Sequence, residues 1–131
     1  MDQGCAQLGN MNAHYNLSLM YQKGEGVEKD KQREIYHLEE AAIGGHPSAR
    51  YNLGAYEWNS GGYDRAMKHY IIAAKAGYDE GLDRVKQAFV HGIVSKEDYA
   101  AALRGHQAAV DAAKSTQREE AEKAIEGSRK V

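Results

Sequence analysis

Histidine is the first residue type to weigh for chemistry, because the chain contains six histidines. Neutral imidazole is a common zinc ligand, and His37 and Glu40 are spaced to share one helical turn. A zinc site gathers three or four His or Cys ligands at dense spacings, and no such cluster occurs in the sequence. His37 and His69 occupy equivalent places in two similar stretches, which favours a repeated packing or surface role. We therefore expect no metal and no cofactor.

Nucleophilic and acid–base residues give no firmer sign of catalysis. Cys5 has no recognisable nucleophile context. Carboxylates such as Glu39 and Glu40 are mixed with Lys and Arg, as on an ordinary solvated helix face. The stretch GEGVEKD, residues 24–30, has two glycines but lacks the lysine pattern of a phosphate-binding loop, which indicates a turn. We predict that the chain is not an enzyme.

Composition restricts the remaining classes. Hydrophobic residues make up 42% and charged residues 27% of 131 residues, a balance typical of one globular domain. The net charge of −2 and the mixing of acidic with basic residues argue against nucleic-acid binding. No apolar run approaches the roughly 18 residues of a membrane span, and the start of the chain lacks the order of a secretory signal. The expected location is cytoplasmic or nuclear, and the single cysteine agrees with a reducing compartment.

Three stretches of the chain repeat one another. The segments AHYNL (13–17), ARYNL (49–53) and GLDRV (81–85) each follow a glycine by four residues, and these glycines are Gly9, Gly45 and Gly77. The first spacing exceeds the second by four residues, and the difference falls in the stretch that begins with GEGVEKD in the first copy and with SGGYD in the second. We therefore predict that the helices keep their lengths between copies and that only the turn shortens.

Apolar residues within each copy recur at helical spacing. The predicted core face of the first helix holds Ala13, Leu17, Met20 and Tyr21, and the third copy repeats the spacing with Gly81, Val85, Ala88 and Phe89. The second helices carry similar stripes, namely Ile35, Leu38, Ala41 and Ala42, then Ala66, Met67, Tyr70, Ala73 and Ala74. Each copy is therefore predicted to be a helical hairpin, and hairpins this short must bury one another's apolar faces.

Glycine, proline and capping residues indicate where these helices should begin and end. Glycines are expected to close the second helices at Gly44–Gly45 and at Gly77, since only glycine adopts the left-handed conformation cheaply. Pro47 suits the first turn of the next helix, and Asn10 stands at the equivalent place in the first copy, where its side chain would cap.

The wording of the first two copies resembles the Sel-one-like repeat family, relatives of the tetratricopeptide repeats. The pattern is A-x-Y-N-L-(G/S)-x-x-Y, then G-x-G-V-x-K-D, then A-A-x-G, over about residues 5–92. The resemblance implies an all-α, right-handed α-solenoid of antiparallel helix-turn-helix repeats that acts as an adaptor. The expected units are a partial repeat 1–11, repeats 12–47, 48–79 and 80–114, together a solenoid over 1–114, and a helical tail 115–131. The third copy loses the YNLG wording, and CAQLG resembles the end of a second helix without its partner.

The C-terminal part is polar and rich in alanine. Ser95 and Asp98 resemble a capping box that starts a helix near Lys96. One face of this helix is expected to hold Tyr99, Ala102, Leu103, His106 and Val110. Beyond residue 114 the apolar residues thin out, and the sequence leaves open a second helix start at Ser115 or Thr116 or one long helix. Fraying is expected at the last few residues.

The expected function is a non-catalytic protein–protein interaction scaffold that binds a protein or peptide on the concave face formed by the first helices. The candidate binding residues are Asn12, Tyr15, Asn16, Leu19, Tyr51, Asn52, Ala55, Trp58, Asp83, Arg84 and Gln87. The repeated Tyr–Asn pairs have two readings, since they could contact a peptide or join neighbouring helices. Trp58 is either a core filler or an exposed anchor.

The alternative function is a structural subunit of a larger assembly, or a chain that stacks end to end. Because the first repeat is incomplete, we expect Met11 and Tyr15 to be partly uncovered and the N-terminal edge to self-associate.

Overall fold

The computed structural model describes the backbone of residues 3–129 and the side chains of residues 9–127. Within this range the chain forms helices and no strands, so the all-α prediction is confirmed. The helices are α1 (Gln3–Lys23), α2 (Lys31–Ile43), α3 (Pro47–Asn59), α4 (Tyr63–Lys75), α5 (Asp79–Val90) and α6 (Lys96–Arg129). Consecutive helices pack against each other, and α4 also packs against α6.

The structure shows the predicted starts and ends of several helices. Gly44 ends α2, and both Gly45 (φ 96°) and Gly77 (φ 93°) have the left-handed backbone that favours glycine. Pro47 is the first residue of α3. At the start of α6 the Asp98 N–H donates to Ser95 Oγ over 3.1 Å.

The two complete copies differ in the turn between their helices. Residues 24–30 connect α1 to α2, whereas residues 60–62 connect α3 to α4, which is four residues shorter. Helices α2 and α4 have 13 residues each, so the prediction that the turn absorbs the difference is confirmed for them.

Helix α1 is longer than expected because it continues through Gly9 and Asn10. The helix end expected at CAQLG, residues 5–9, and the cap expected at Asn10 were therefore wrong. Gly9 does not adopt the left-handed conformation of Gly45 and Gly77, so nothing in its backbone ends the helix. Glycine permits a helix end but does not enforce one.

The buried face of α1 also differs from the prediction. Ala13 is exposed and Met20 is 36% exposed, whereas Ser18 is buried at 2%. The equivalent Ala49 is buried in a cluster with residues of α2, the helix that precedes α3. Helix α1 is the first helix that the structure describes, so no earlier helix covers Ala13.

Two apolar clusters hold the helices together. The first joins α2 and α3 and contains Leu38, Ala41, Ala42, Ala49 and Leu53, with Tyr15 packed against it. The second joins α4, α5 and the start of α6 and contains Ala66, Met67, Tyr70, Ala74, Val85, Ala88, Val94 and Ala102. Many of these residues are alanines, which let helix axes approach closely and leave the larger side chains to fill the gaps.

Helix α6 is continuous from Lys96 to Arg129, which decides between one helix and two. Its first part is packed, with Ala102 fully buried, but Leu103, expected on the same face, is 42% exposed. From Asp111 to Gly127 every residue is exposed. The expected fraying concerns residues that lie partly outside the described range.

Candidate binding surface on the first helices of the hairpins

The first helices of the three hairpins are α1, α3 and α5. Each of the two repeated tyrosines forms a hydrogen bond with the first helix of the following hairpin. Asn52 Nδ2 donates to Tyr15 Oη over 3.4 Å, and Arg84 Nε donates to Tyr51 Oη over 3.3 Å. Tyr15 and Tyr51 are equivalent positions of the repeat, and so are Asn52 and Arg84. The same contact is therefore made twice, first between α1 and α3 and then between α3 and α5.

The rings of these tyrosines repeat the pattern. Tyr15 stacks on His46 with ring centroids 4.2 Å apart, and Tyr51 lies 5.4 Å from the ring of Tyr78. His46 and Tyr78 are the residues immediately before α3 and α5. Each tyrosine therefore touches the beginning of the following first helix as well as its second turn, and it links one hairpin to the next.

The first hairpin does not leave its tyrosine at an open edge. Tyr15 is half-buried and packs against the first apolar cluster, and Met11 lies against Gly44 at the end of α2. These two side chains are therefore partly uncovered, as expected, although their contacts are with the helices that follow, and self-association of the N-terminal edge stays a prediction. Asn12 and Asn16, by contrast, are exposed.

A cleft of about 480 Å³ lies between α1 and α3, with α2 beneath it. Three of the predicted binding residues, Leu19, Asn52 and Ala55, line this cleft. The other lining residues are Ser18, Gln22, Lys31, Glu34, Ile35, Leu38, Tyr56, Asn59 and Ser60. The lining mixes amides and hydroxyls with aliphatic side chains, a combination suited to a peptide backbone and its side chains.

Glu34 is the notable charged group of the cleft. It is buried at 7% exposure, and its carboxylate lies 3.6 Å from Lys31 Nζ. The Lys31 ammonium also lies 4.9 Å from the centre of the Tyr56 ring. Glu34 was missed at the sequence level, although it precedes Leu38 by four residues and so falls on the apolar stripe of α2.

A second, smaller pocket of about 240 Å³ lies between α3, α4 and α5. Three further predicted residues, Trp58, Arg84 and Gln87, line it. Trp58 is 38% exposed and meets the edge of the Tyr63 ring at 4.6 Å, so it is neither fully buried nor isolated on the surface. Asp83 does not line this pocket but lies in a neighbouring depression with Lys86 and Val90.

The two histidines expected to play equivalent roles do so inside their hairpins. His37 Nδ1 lies 2.9 Å from His14 Nδ1, and the Arg50 guanidinium lies 3.4 Å from His69 Nδ1. His14 and Arg50 are themselves equivalent positions. Burial, and then the basic neighbour, lowers the pKa of both His37 and His69. These histidines are therefore packing residues that favour the neutral form.

Within the described residues, no three His, Cys, Asp or Glu side chains are arranged to hold a metal ion. None of the helices in residues 3–129 combines the length and apolar character needed to cross a bilayer. A scan against protein-family models gave no match, and a search of curated proteins gave none either. The function must therefore be argued from the geometry of the two pockets.

Proposed function

We propose that this protein is a non-catalytic adaptor of the Sel-one-like kind, a right-handed solenoid that binds an extended peptide across its first helices. The observation that carries this proposal is the cleft between α1 and α3, because three side chains selected from sequence as binding residues line it together. The repeated tyrosine contacts between successive hairpins support the solenoid arrangement, since they relate each hairpin to the next in the same way.

The proposed ligand is a peptide rather than a small metabolite. The cleft is open on one side and lined by several groups that donate and accept hydrogen bonds, as a peptide backbone requires. Its charged pair, Lys31 and Glu34, is already matched, so the cleft has no excess charge that would select an ionic metabolite.

The test is a selection of random peptides displayed on phage, followed by affinity measurement on variants. Ala55→Trp places a large ring in the cleft, and we expect it to weaken the selected peptides about tenfold or more. Lys68→Trp is the matched control, since Lys68 is exposed on α4 and away from both pockets. Failure to select any peptide, or equal binding by Ala55→Trp, would contradict the proposal, provided that circular dichroism shows both variants to be folded.

A further inference from the structure

The smaller pocket has an apolar floor. Trp58, Met67, Tyr70, Ala88 and Ile93 form most of its lining, and Met67, Tyr70 and Ala88 belong to the second apolar cluster. Its volume of about 240 Å³ lies below the range of roughly 300 Å³ and more that is usual for small-molecule sites. A pocket of this size and character suits a single aliphatic or aromatic side chain of a partner.

The rim of the pocket carries donors and positive charge. Its polar side chains are Arg84, Gln87 and His91, all contributed by α5 and the residue after it. Arg84 uses its Nε to donate to Tyr51, and this hydrogen bond raises the pKa of a guanidinium that is charged at neutral pH in any case. The bond also orients the Arg84 side chain, which remains exposed to solvent at the rim of the pocket.

Among the described residues that line this pocket there is no carboxylate to neutralise Arg84. In the part of the chain that the structure describes, no acidic side chain forms an ion pair with Arg84, and Glu80, one turn earlier on α5, is no exception. Glu57 of α3 lies 3.4 Å from Arg65, and Asp83 of α5 lines the neighbouring depression. A partner with an acidic group beside its apolar side chain would therefore be complementary in charge as well as in shape.

We propose that this pocket binds an aliphatic or aromatic side chain of a partner peptide that carries an aspartate or glutamate beside it, the carboxylate pairing with Arg84. This inference rests on the proposed peptide-binding function and specifies one anchor of the ligand. Trp58 packs against the inserted side chain, and Gln87 and His91 donate to the carboxylate or to the peptide backbone.

The protein carries its own probe for this pocket, because Trp58 is its single tryptophan. Titration with acetyl-Gly-Asp-Asp-Leu-Asp-Asp-Gly-amide should change the Trp58 fluorescence in a saturable way. Both ends of this peptide are blocked, so every negative charge lies on a side chain. Replacing the leucine by glycine, or all four aspartates by asparagine, should each weaken binding about tenfold. Equal binding of all three peptides, or no saturable change, would overturn the proposal.

Two variants of neighbouring residues test the role of Arg84. Arg84→Gln should weaken the acidic peptide about tenfold and reduce the dependence of its affinity on salt. Lys86→Gln removes the same charge from the same helix outside this pocket and should change the affinity less than about twofold. If the two variants weaken binding equally, the pocket responds only to net charge and the assigned pairing is wrong.

Arg84→Gln also removes the Arg84–Tyr51 hydrogen bond, and that loss by itself would loosen the contact between α3 and α5. A third variant therefore tests the pocket with this contact intact. Gln87→Glu keeps that contact and adds a carboxylate at the rim, so it should also weaken the acidic peptide, by about tenfold. Unchanged affinity in Gln87→Glu would overturn the proposal whatever Arg84→Gln does.

The two proposals fail separately. Suppose that the selected peptides bind, that Ala55→Trp weakens their binding, and that the acidic peptide does not bind. Only the assignment of the smaller pocket is then wrong. If neither the selected peptides nor the acidic peptide binds, the peptide-binding function itself is wrong.

Discussion

Tyr15 and Tyr51 show how one side chain can be used twice in a repeated fold. Each ring lies against the residue before the next first helix, and each hydroxyl accepts from one position within that helix. The Asn–Tyr bond joins the first hairpin to the second, so the joining role of the Tyr–Asn pair is realised at Asn52. Asn16 is exposed and remains free to contact a ligand.

The difference between Asn52 and Asn16 leads to a stability prediction. Asn52→Ala should lower the free energy of unfolding by about 0.5–1.5 kcal/mol, because it removes the hydrogen bond to Tyr15. Asn16→Ala is the matched control at the equivalent position and should change stability by less than about 0.5 kcal/mol. Urea unfolding followed by circular dichroism measures both, and equal losses would show that the Tyr15 contact is not what distinguishes them.

Neutral histidines predict a direction for the pH dependence of stability. Burial lowers the pKa of His37, His46 and His69 below the ordinary value of 6.5. The unfolded chain therefore binds protons that the folded chain does not, once the pH falls below about 6.5. The free energy of unfolding should be highest above that pH and should decrease from about pH 7.5 to about pH 5.5 in urea titrations.

His46 allows this pH dependence to be assigned to one residue. Its Nδ1 accepts from the Ala49 N–H over 3.2 Å and caps α3, which a protonated nitrogen cannot do. His46→Asn keeps a capping side chain without a titrating ring, so it should lose part of the acid sensitivity while remaining folded. His46→Ala removes the cap and should be less stable even at neutral pH. An unchanged pH dependence in His46→Asn would show that the other two histidines account for it.

At the scale of the elements, the distance between α3 and α4 depends on a glycine. A Cβ added at Gly54 would lie 2.7 Å from the Tyr70 ring, which is itself buried at 3% exposure. The equivalent position in the first copy is Ser18, and the position equivalent to Tyr70 holds the smaller Leu38. The glycine of the YNLG segment in the second copy, Gly54, thus leaves room for the large Tyr70 ring.

Gly54→Ala should therefore destabilise the protein by about 1–3 kcal/mol through overpacking, although alanine has a higher helix propensity than glycine. Gly9→Ala makes the same change in α1, where nothing lies within 4 Å of the added methyl group. It should instead stabilise by up to about 1 kcal/mol. Thermal melts of the two variants should move in opposite directions, and a gain in Gly54→Ala would show that α3 and α4 can separate without cost.

Several ends of the helices α2 to α6 could be predicted because their signals are local, whereas the boundary expected near Gly9 was wrong. Pro47, Gly45, Gly77 and the Ser95–Asp98 pair act through the backbone of their own neighbourhood, and the structure places helix ends at each of them. The face of α1 could not be predicted the same way, because burial of Ala13 would require a helix against it. Two positions that are equivalent in the repeat can share a residue type, but they need not have the same helices packed against them.

At the scale of the whole molecule, the chain has a packed part and a projecting part. Residues 111–127 of α6 are all exposed, whereas the first turns of α6 pack on α4 and α5. His106 Nε2 lies 2.7 Å from Asp79 Oδ1, and Ala109 lies beside Gly77, so packing of α6 ends near these residues. The projecting part contributes little to the core.

Truncation separates these two parts. Removal of residues 115–131 should shift the melting temperature by less than about 2 °C, since residues 115–127 are all exposed. Truncation after Gly105 also removes His106 and Ala109 and should lower the melting temperature by more than about 4 °C. Differential scanning calorimetry compares the two, and a large loss in the shorter deletion would mean that the projecting helix is covered in solution.

The sequence by itself determined the all-α class, the hairpin spacing and the position of the variable turn, because helical periodicity and capping depend on residues close in the chain. It also selected three residues of each pocket, without showing that they belong to two separate sites. Only the tertiary structure decided that Glu34 is buried, that Tyr15 meets Asn52, and that Trp58 and Arg84 border one apolar pocket. Those contacts join residues distant in sequence, and the packing of helix against helix sets them, which no local pattern encodes.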